Sequence, residues 1–331
     1  MIIRIFKIFS NSLYLISVIV LIIFVLYNWL NFYINAPGPL KNDVILDIKR
    51  GTSKKELKLK LREKEIIRNN YSLDIVEIIT KKTFLPKAGE YKIKKQTTPI
   101  ELFKILNNGK VYQRRILIKE GMRSIDIINT INNEKFLEST IQIIPKEGTI
   151  FPDTYNFVKG EDRNALLERM QIKMKEKMLE IWKNRNNNLP YKSPYELIIM
   201  ASIIEKETGI ASEREIISSV FINRLNKKMR LQSDPTVIYG KYFGKENLNN
   251  IESSDIKNKN PWNTYQIRGL PETAICNPGE ASIRAAAMPA KTNFFYFVSN
   301  GKGKHNFSST IKAHNKNVRK LKEIIMLKKN D

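Results

Sequence analysis

The sequence has almost no cysteine: one residue, Cys276, in 331. A lone thiol forms no internal disulfide and cannot build a cysteine-rich metal site. Histidine is nearly as scarce, with only His305 and His314. Neither has a cysteine or second histidine at ligand spacing, so no metal is expected; capping or core hydrogen bonds are the expected use of both. Acidic residues are also short. The 33 Asp and Glu against 57 Lys and Arg leave a formal net charge of +24, which raises nucleic acid, or an anionic membrane or polymer, as a partner. Lys supplies most of the excess, and Ile, Lys and Asn are abundant throughout, as AT-biased coding would make them, so no nucleic-acid partner is expected. Charge of either sign is missing altogether from Ile8 to Leu40.

That charge-free stretch is almost wholly Leu, Ile, Val, Phe and Tyr between Leu13 and Ile34, and roughly 20 such residues suffice for one spanning helix. Arg4 and Lys7 precede it as the n-region of a signal peptide would, but the apolar run is too long for that reading and no small-x-small cleavage site follows. Trp29, Phe32 and Tyr33 form an interfacial aromatic belt, and Pro37-Gly38-Pro39 ends the helix. The expectation is a single-pass inner (plasma) membrane anchor over 13–34, a cytoplasmic tail over 1–12, and the rest of the chain on the periplasmic side. The length allows two or three folded units, and a hydrophobic fraction of 42% with 27% charged residues argues that most of it folds.

From Asn42 to about Ser139 the pattern is one of short units. Val44 to Ile48 alternates like a strand, Gly51 punctuates it, and Ser53-Lys54-Lys55-Glu56 is a capping box opening a basic helix. A looser copy follows, with Ile116 to Ile118 as strand, Gly121 as turn, and Ser124 and Asp126 leading into a helix. Thr98-Pro99-Ile100-Glu101 is a further capping box between the copies. Residues 40–140 therefore read as a small α+β module weakly similar to lysin-motif modules, which bind glycans; a spacer that sets the height of a catalytic domain above the membrane has the same pattern.

The chemistry is expected beyond it. A helix starts at Ser193, with Pro194 in the first helical position and Glu196 three residues on. Leu197, Met200, Ala201, Ile204 and Thr208 recur at helical spacing as its inward face, and Gly209 ends it. Glu205 lies beside that stripe at the margin of the core, where partial desolvation raises a carboxyl pKa toward what a glycosidic general acid needs. A solvated end-of-helix glutamate paired with Lys206 fits the spacing as well, and Glu207 competes. Another capping box, Ser212-Glu213-Arg214-Glu215, opens the next helix. Loops dense in amides, carboxylates and aromatics follow, around Gln232, Asp234, Thr236 and Tyr239, then Asn263 and Tyr265, then Asn277. Such groups make carbohydrate clefts, although each loop taken singly could be satisfying its own backbone.

The order Phe151-Pro152-Asp153-Thr154-Tyr155, Ala201 to Thr208, Ser212-Glu213-Arg214 with Val220 to Leu225, Leu231 to Tyr239, Asn263-Thr264-Tyr265, Gly269-Leu270-Pro271, Asn277-Pro278-Gly279, and His305 to Ser308 with His314-Asn315 resembles the endolytic murein transglycosylases of the MltG (YceG-like) family. Ser233 stands where Thr is usual, and Trp262 where Tyr is common. The resemblance implies a fold of transmembrane helix, lysin-motif-like α+β module and larger α+β catalytic domain over 147–325. It implies a cofactor-free lyase (EC 4.2.2.-) that cleaves MurNAc–GlcNAc bonds of peptidoglycan strands to leave 1,6-anhydroMurNAc ends. Glu205 would be its single catalytic residue. Gln232, Asp234, Thr236, Tyr239, Asn263, Tyr265 and Asn277 are the candidate cleft wall, and peptidoglycan synthases are candidate partners. A muramidase-type hydrolase using Glu207 or Asp234 as second carboxylate, and a non-catalytic glycan-binding scaffold, remain the alternatives.

Overall fold

The computed structural model describes residues 2–241 and 251–330; Met1 of the expected tail, residues 242–250 inside the expected catalytic stretch, and Asp331 lie outside the described residues. The chain divides into two compact units, Met1–Arg114 and Arg115–Asp331. This moves the boundary expected near 140. The strand–turn–helix segment from Arg115 onward belongs to the second unit because Ile116, Ile118, Ile127 and Ile128 are buried with Phe157, Leu166 and Met170 of that unit.

In the first unit, α1 (Ile2–Asn35) is one uninterrupted helix, so the expected tail continues it. Its stretch Leu13–Asn35 is long and apolar enough to cross a membrane, and its apolar side chains from Leu13 to Phe32 are largely exposed. Only the last turn is packed: Ile34 is buried, and the Tyr33 hydroxyl meets the Ser72 hydroxyl at 2.9 Å. Strand β1 (Val44–Ile48) then pairs antiparallel with β2 (Gly89–Ile93), Leu46 opposite Tyr91. Helices α2 (Lys54–Glu63), α3 (Ser72–Thr80) and α4 (Pro99–Asn108) close over them. Ser53 caps α2 and the reciprocal Thr98–Glu101 box caps α4, as the sequence predicts. Leu57, Leu61, Phe84, Leu102 and Leu106 fill the core.

The second unit starts with β3 (Arg114–Leu117), which pairs with β5 (Thr154–Phe157), while β4 (Leu137–Glu138) runs parallel to β6 (Glu161–Asp162). Helix α5 (Ser124–Asn132) and the long α6 (Arg163–Lys183) frame these strands. Next come α7 (Pro194–Glu207), α8 (Arg214–Asn226), α9 (Asp234–Lys241), α10 (Ser253–Lys257) and α11 (Glu280–Ala287). The antiparallel pair β7 (Tyr296–Ser299) and β8 (His305–Ser308), with α12 (Ile311–Asn330), completes it.

Helix α7 is the axis of this unit. The Ser193 hydroxyl caps it by accepting from the Glu196 N–H at 3.3 Å, and Pro194 opens it. The sequence predicts one inward stripe, but all eight residues from Leu197 to Ile204 are buried. A helix apolar all round belongs inside a core, and here α6, α8 and α11 enclose it through Met174, Ile181, Ile217, Phe221, Ile283 and Ala286. The expected Ser212 cap is not formed. A short 3-10 turn, Ala211–Glu213, leads into α8 instead, because Glu213 accepts from the backbone N–H of His305 at 2.9 Å and pairs with its Nδ1 at 2.7 Å. Phe221 is fully buried and edge-on to Phe297, ring centroids 5.8 Å apart. Phe221→Ala is expected to cost about 3–5 kcal/mol, read as a lower denaturant midpoint for the second unit.

Candidate active site

Glu205 sits on the last turn of α7, where the all-buried run ends and the side chain becomes half-exposed. Its Oε2 accepts the N–H of Gly279, the residue that precedes α11, at 3.1 Å. The first N–H groups of a helix have no partner within it, and they complement an acidic side chain. On another side, Gly121 closes over the carboxyl: a Cβ added there would meet Glu205 Cγ at 3.5 Å. Gly121 also has φ +74, which an L side chain rarely adopts.

Two turns are laid side by side over the glutamate. Gly121 donates its N–H to Asn277 O at 2.9 Å, and Asn277 returns its own N–H to Met122 O at 2.9 Å. The Asn277 side chain locks the pair. Its Nδ2 donates to Met122 O and Ser124 Oγ at 3.1 Å and to Glu147 Oε2 at 3.3 Å, and its Oδ1 accepts from Ile150 N at 2.9 Å. Glu147 is buried and also accepts from the Ser124 N–H at 2.9 Å. Burial pushes its carboxyl up to about 7, against the lowering effect of the Ser124 hydrogen bonds. From below, Ser202 of α7 accepts the Ile275 N–H at 3.0 Å, and the Tyr195 hydroxyl bridges Ala274 N and Glu147 O. Cys276 is buried between these contacts, and burial holds its thiol well above the ordinary range.

A second polar cluster begins two residues on. Glu207 Oε1 accepts from the Ser233 hydroxyl at 2.5 Å, and desolvation pushes its carboxyl up to about 7. Ser233 N donates to Thr264 Oγ1 at 2.9 Å, and the Thr236 and Thr264 hydroxyls meet at 2.8 Å. Asp234 accepts from the Tyr265 hydroxyl at 2.6 Å, and Tyr239 lies 5.6 Å from the Trp262 ring. Of the expected cleft wall, Gln232 and Asp234 are exposed and Tyr239 and Tyr265 half-buried, so these four have surface to offer a sugar. Thr236, Asn263 and Asn277 do not: each is 0% exposed. Asn263 Nδ2 donates to the carbonyls of Asp255, Ile256 and Asn258. These three are corrected from wall to frame, their polar atoms being spent on backbone and neighbouring side chains.

Sequence reasoning missed Glu120. The Glu120 carboxylate lies against the α-face of Gly279, where a Cβ would displace it, so Glu120 and Glu205 approach the same residue. Partial burial, and next the negative charge of Glu205, raise the Glu120 carboxyl, while Arg214 opposes the shift. The available signal was an acidic residue directly before a turn glycine, Lys119-Glu120-Gly121, which the reading as a glycan-binding module or spacer hid. Among the described residues, no three His, Cys, Asp or Glu side chains come together as a metal site needs.

The Glu147 carboxyl gives the fold a pH signature. Its folded value lies above that of an exposed glutamate, so the stability it contributes is complete below about pH 4.5 and is lost as pH rises through about 7. Glu147→Gln is expected to gain on the parent by on the order of 3 kcal/mol over that window. Glu207 titrates in the same range in both proteins, so unfolding of parent and variant at pH 4.5 and 8 isolates the Glu147 contribution.

Known proteins extend this picture. The model of the YceG-like family matches residues 46–320. The endolytic murein transglycosylase of Bacillus subtilis (strain 168) is 36% identical over 190 residues, 57% of this chain and 51% of that protein. That of Streptococcus pneumoniae serotype 2 is 23% identical over 324 residues, 84% of this chain and 58% of its own. The chain thus spans between half and three fifths of the length of the curated relatives it matches. The crystal structure of a yceG-like protein from Listeria monocytogenes aligns with a TM-score of 0.50 at 28% identity, covering 83% of this chain and 99% of that one. With the family model matched along most of its length, the chain belongs to the YceG-like family.

Proposed function

We propose that this protein is an endolytic peptidoglycan transglycosylase, a lyase in which Glu205 is the acid/base. The observation that supports the reading most is the setting of Glu205. It is the half-exposed carboxyl at the end of a buried helix, held by the Gly279 N–H under two interlocked turns. The related transglycosylases named above supply the substrate class.

Protonated Glu205 donates to the glycosidic oxygen as the bond to the muramoyl anomeric carbon breaks. The same carboxylate then takes the proton of the muramoyl 6-hydroxyl, which attacks that carbon and closes the 1,6-anhydro ring. One carboxyl suffices for both steps because the nucleophile belongs to the substrate, whereas ordinary glycosidases need two. Gln232, Asp234, Tyr239 and Tyr265 are the side chains with surface to bind sugar hydroxyls and ring faces. In this reading α1 anchors the chain in the plasma membrane, with the N-terminus cytoplasmic and the second unit on the periplasmic face. The first unit acts as a lysin-motif-like glycan module or a spacer, and peptidoglycan synthases are partners.

The test is incubation of the full chain in detergent with purified peptidoglycan, beside Glu205→Gln, followed by mass analysis of the released sugars. The parent is expected to release anhydromuramoyl products and the variant to lose about 10²- to 10⁴-fold in rate. Reducing-end products would make the protein a hydrolase, and glycan binding without any product would make it a scaffold.

A further inference from the structure

The Glu120–Gly121 turn has no role in the single-carboxyl mechanism, yet it is built into the site. Through Gly121 and the following Met122, its backbone is fastened to Asn277 by the reciprocal bonds described above. Gly279 is the contact residue of two carboxylates at once: its N–H is donated to Glu205, and its open α-face receives Glu120. The Glu147–Ser124–Asn277 network anchors the turn, and the exposed Glu120 side chain that it carries reaches the residue that donates to Glu205.

We propose that Glu120 is a second proton-exchanging carboxyl of this site, sharing with Glu205 the one proton that the reaction uses and returns. The proposal rests on Glu205 being the acid/base. In the first step a proton passes to the glycosidic oxygen, which leaves with the electron pair of the broken bond. In the second, the proton released by the 6-hydroxyl as its oxygen bonds to the anomeric carbon returns to the pair. The pair therefore starts and ends with one proton and one negative charge. Two neighbouring carboxylates resist double ionisation, and their titration belongs to the pair rather than to either member. Glu120 acts through Glu205, as a positioning residue for the proton.

Among the described residues, the charged groups near the pair are the Glu147 carboxyl on Asn277 and the cations Arg214 and Lys206. Arg214 opens α8, and its buried Nε has no hydrogen-bond partner among the described residues. Lys206 of α7 reaches the Gly121 carbonyl at 3.5 Å. The acidic residue of the third element, Glu280 on α11, is already paired with Lys177 and Arg284. Arg214 opposes the upward shift of the Glu120 carboxyl, which partial burial and, next, the Glu205 charge produce.

The pH–rate profile of the full chain in detergent on purified peptidoglycan tests this, with Glu120→Gln and Glu120→Asp beside the parent. Active parent with anhydromuramoyl products is the precondition, so failure of the transglycosylase reading shows itself separately, in the parent. Glu120→Gln is expected to move the alkaline limb of the profile down by about 1 pH unit, and Glu120→Asp to restore it. A Glu120→Gln profile that superposes on the parent's, whatever its height, makes Glu120 structural and overturns the proposal. A readout independent of activity is the carbon-13 titration of the Glu120 carboxyl in parent and in Glu205→Gln. Removing the Glu205 charge is expected to shift it to lower pH, and an unchanged titration also overturns the proposal.

Discussion

One fully buried amide holds the candidate site together. Asn277 offers two donors and two acceptors by side chain and backbone to residues 121, 122, 124, 147 and 150. A buried polar group left unpaired costs on the order of 1–3 kcal/mol, so the arrangement is close to all-or-none: if one turn moves, several of these bonds fail together. The geometry over Glu205 is therefore an outcome of core satisfaction and does not depend on the flexibility of surface loops.

Beneath it, α7 solves a conflict between burial and chemistry. Eight consecutive buried residues give the helix a place that only large structural change could alter. Its final turn then projects two glutamates with different surroundings. Both are partly exposed, but Glu207 is bound to the Ser233 hydroxyl while Glu205 is bound to a backbone N–H. Two residues of helix suffice to give one carboxyl a side-chain partner and the other a backbone partner, a division of environment that lets acidic groups take separate roles.

The parts legible in the sequence are those decided locally. Ser193 with Pro194 and Thr98 with Glu101 declare their helix starts through hydrogen bonds three residues long, and the apolar run ending at Ile34 declares its helix by composition. Glu205 was marked by its place at the end of an apolar helix. Asn263 and Asn277 were legible as important but not as buried, because an amide that binds a sugar and one that clamps a backbone look alike in one dimension. Glu120 was hidden for another reason. The segment 115–132 repeats the strand–turn–helix pattern of 44–63, and local pattern cannot say which core Ile116 and Ile118 join. The approach of Glu120 to Gly279 is likewise invisible locally, because the two residues are brought together only by the fold.

The reach of these contacts along the chain has a consequence for when the site comes into being. Asn277 and Met122 are 155 positions apart, and Gly279 and Glu205 are 74. Closing loops of that length is slow relative to forming helices, and contacts of high sequence separation come late in folding. A chain made N-terminus first presents Glu120 and Glu205 well before Gly279 exists to hold either of them. The surroundings of Glu205 thus take shape only after residue 279 has been synthesised, and a copy cut short of it carries the carboxyls without the site.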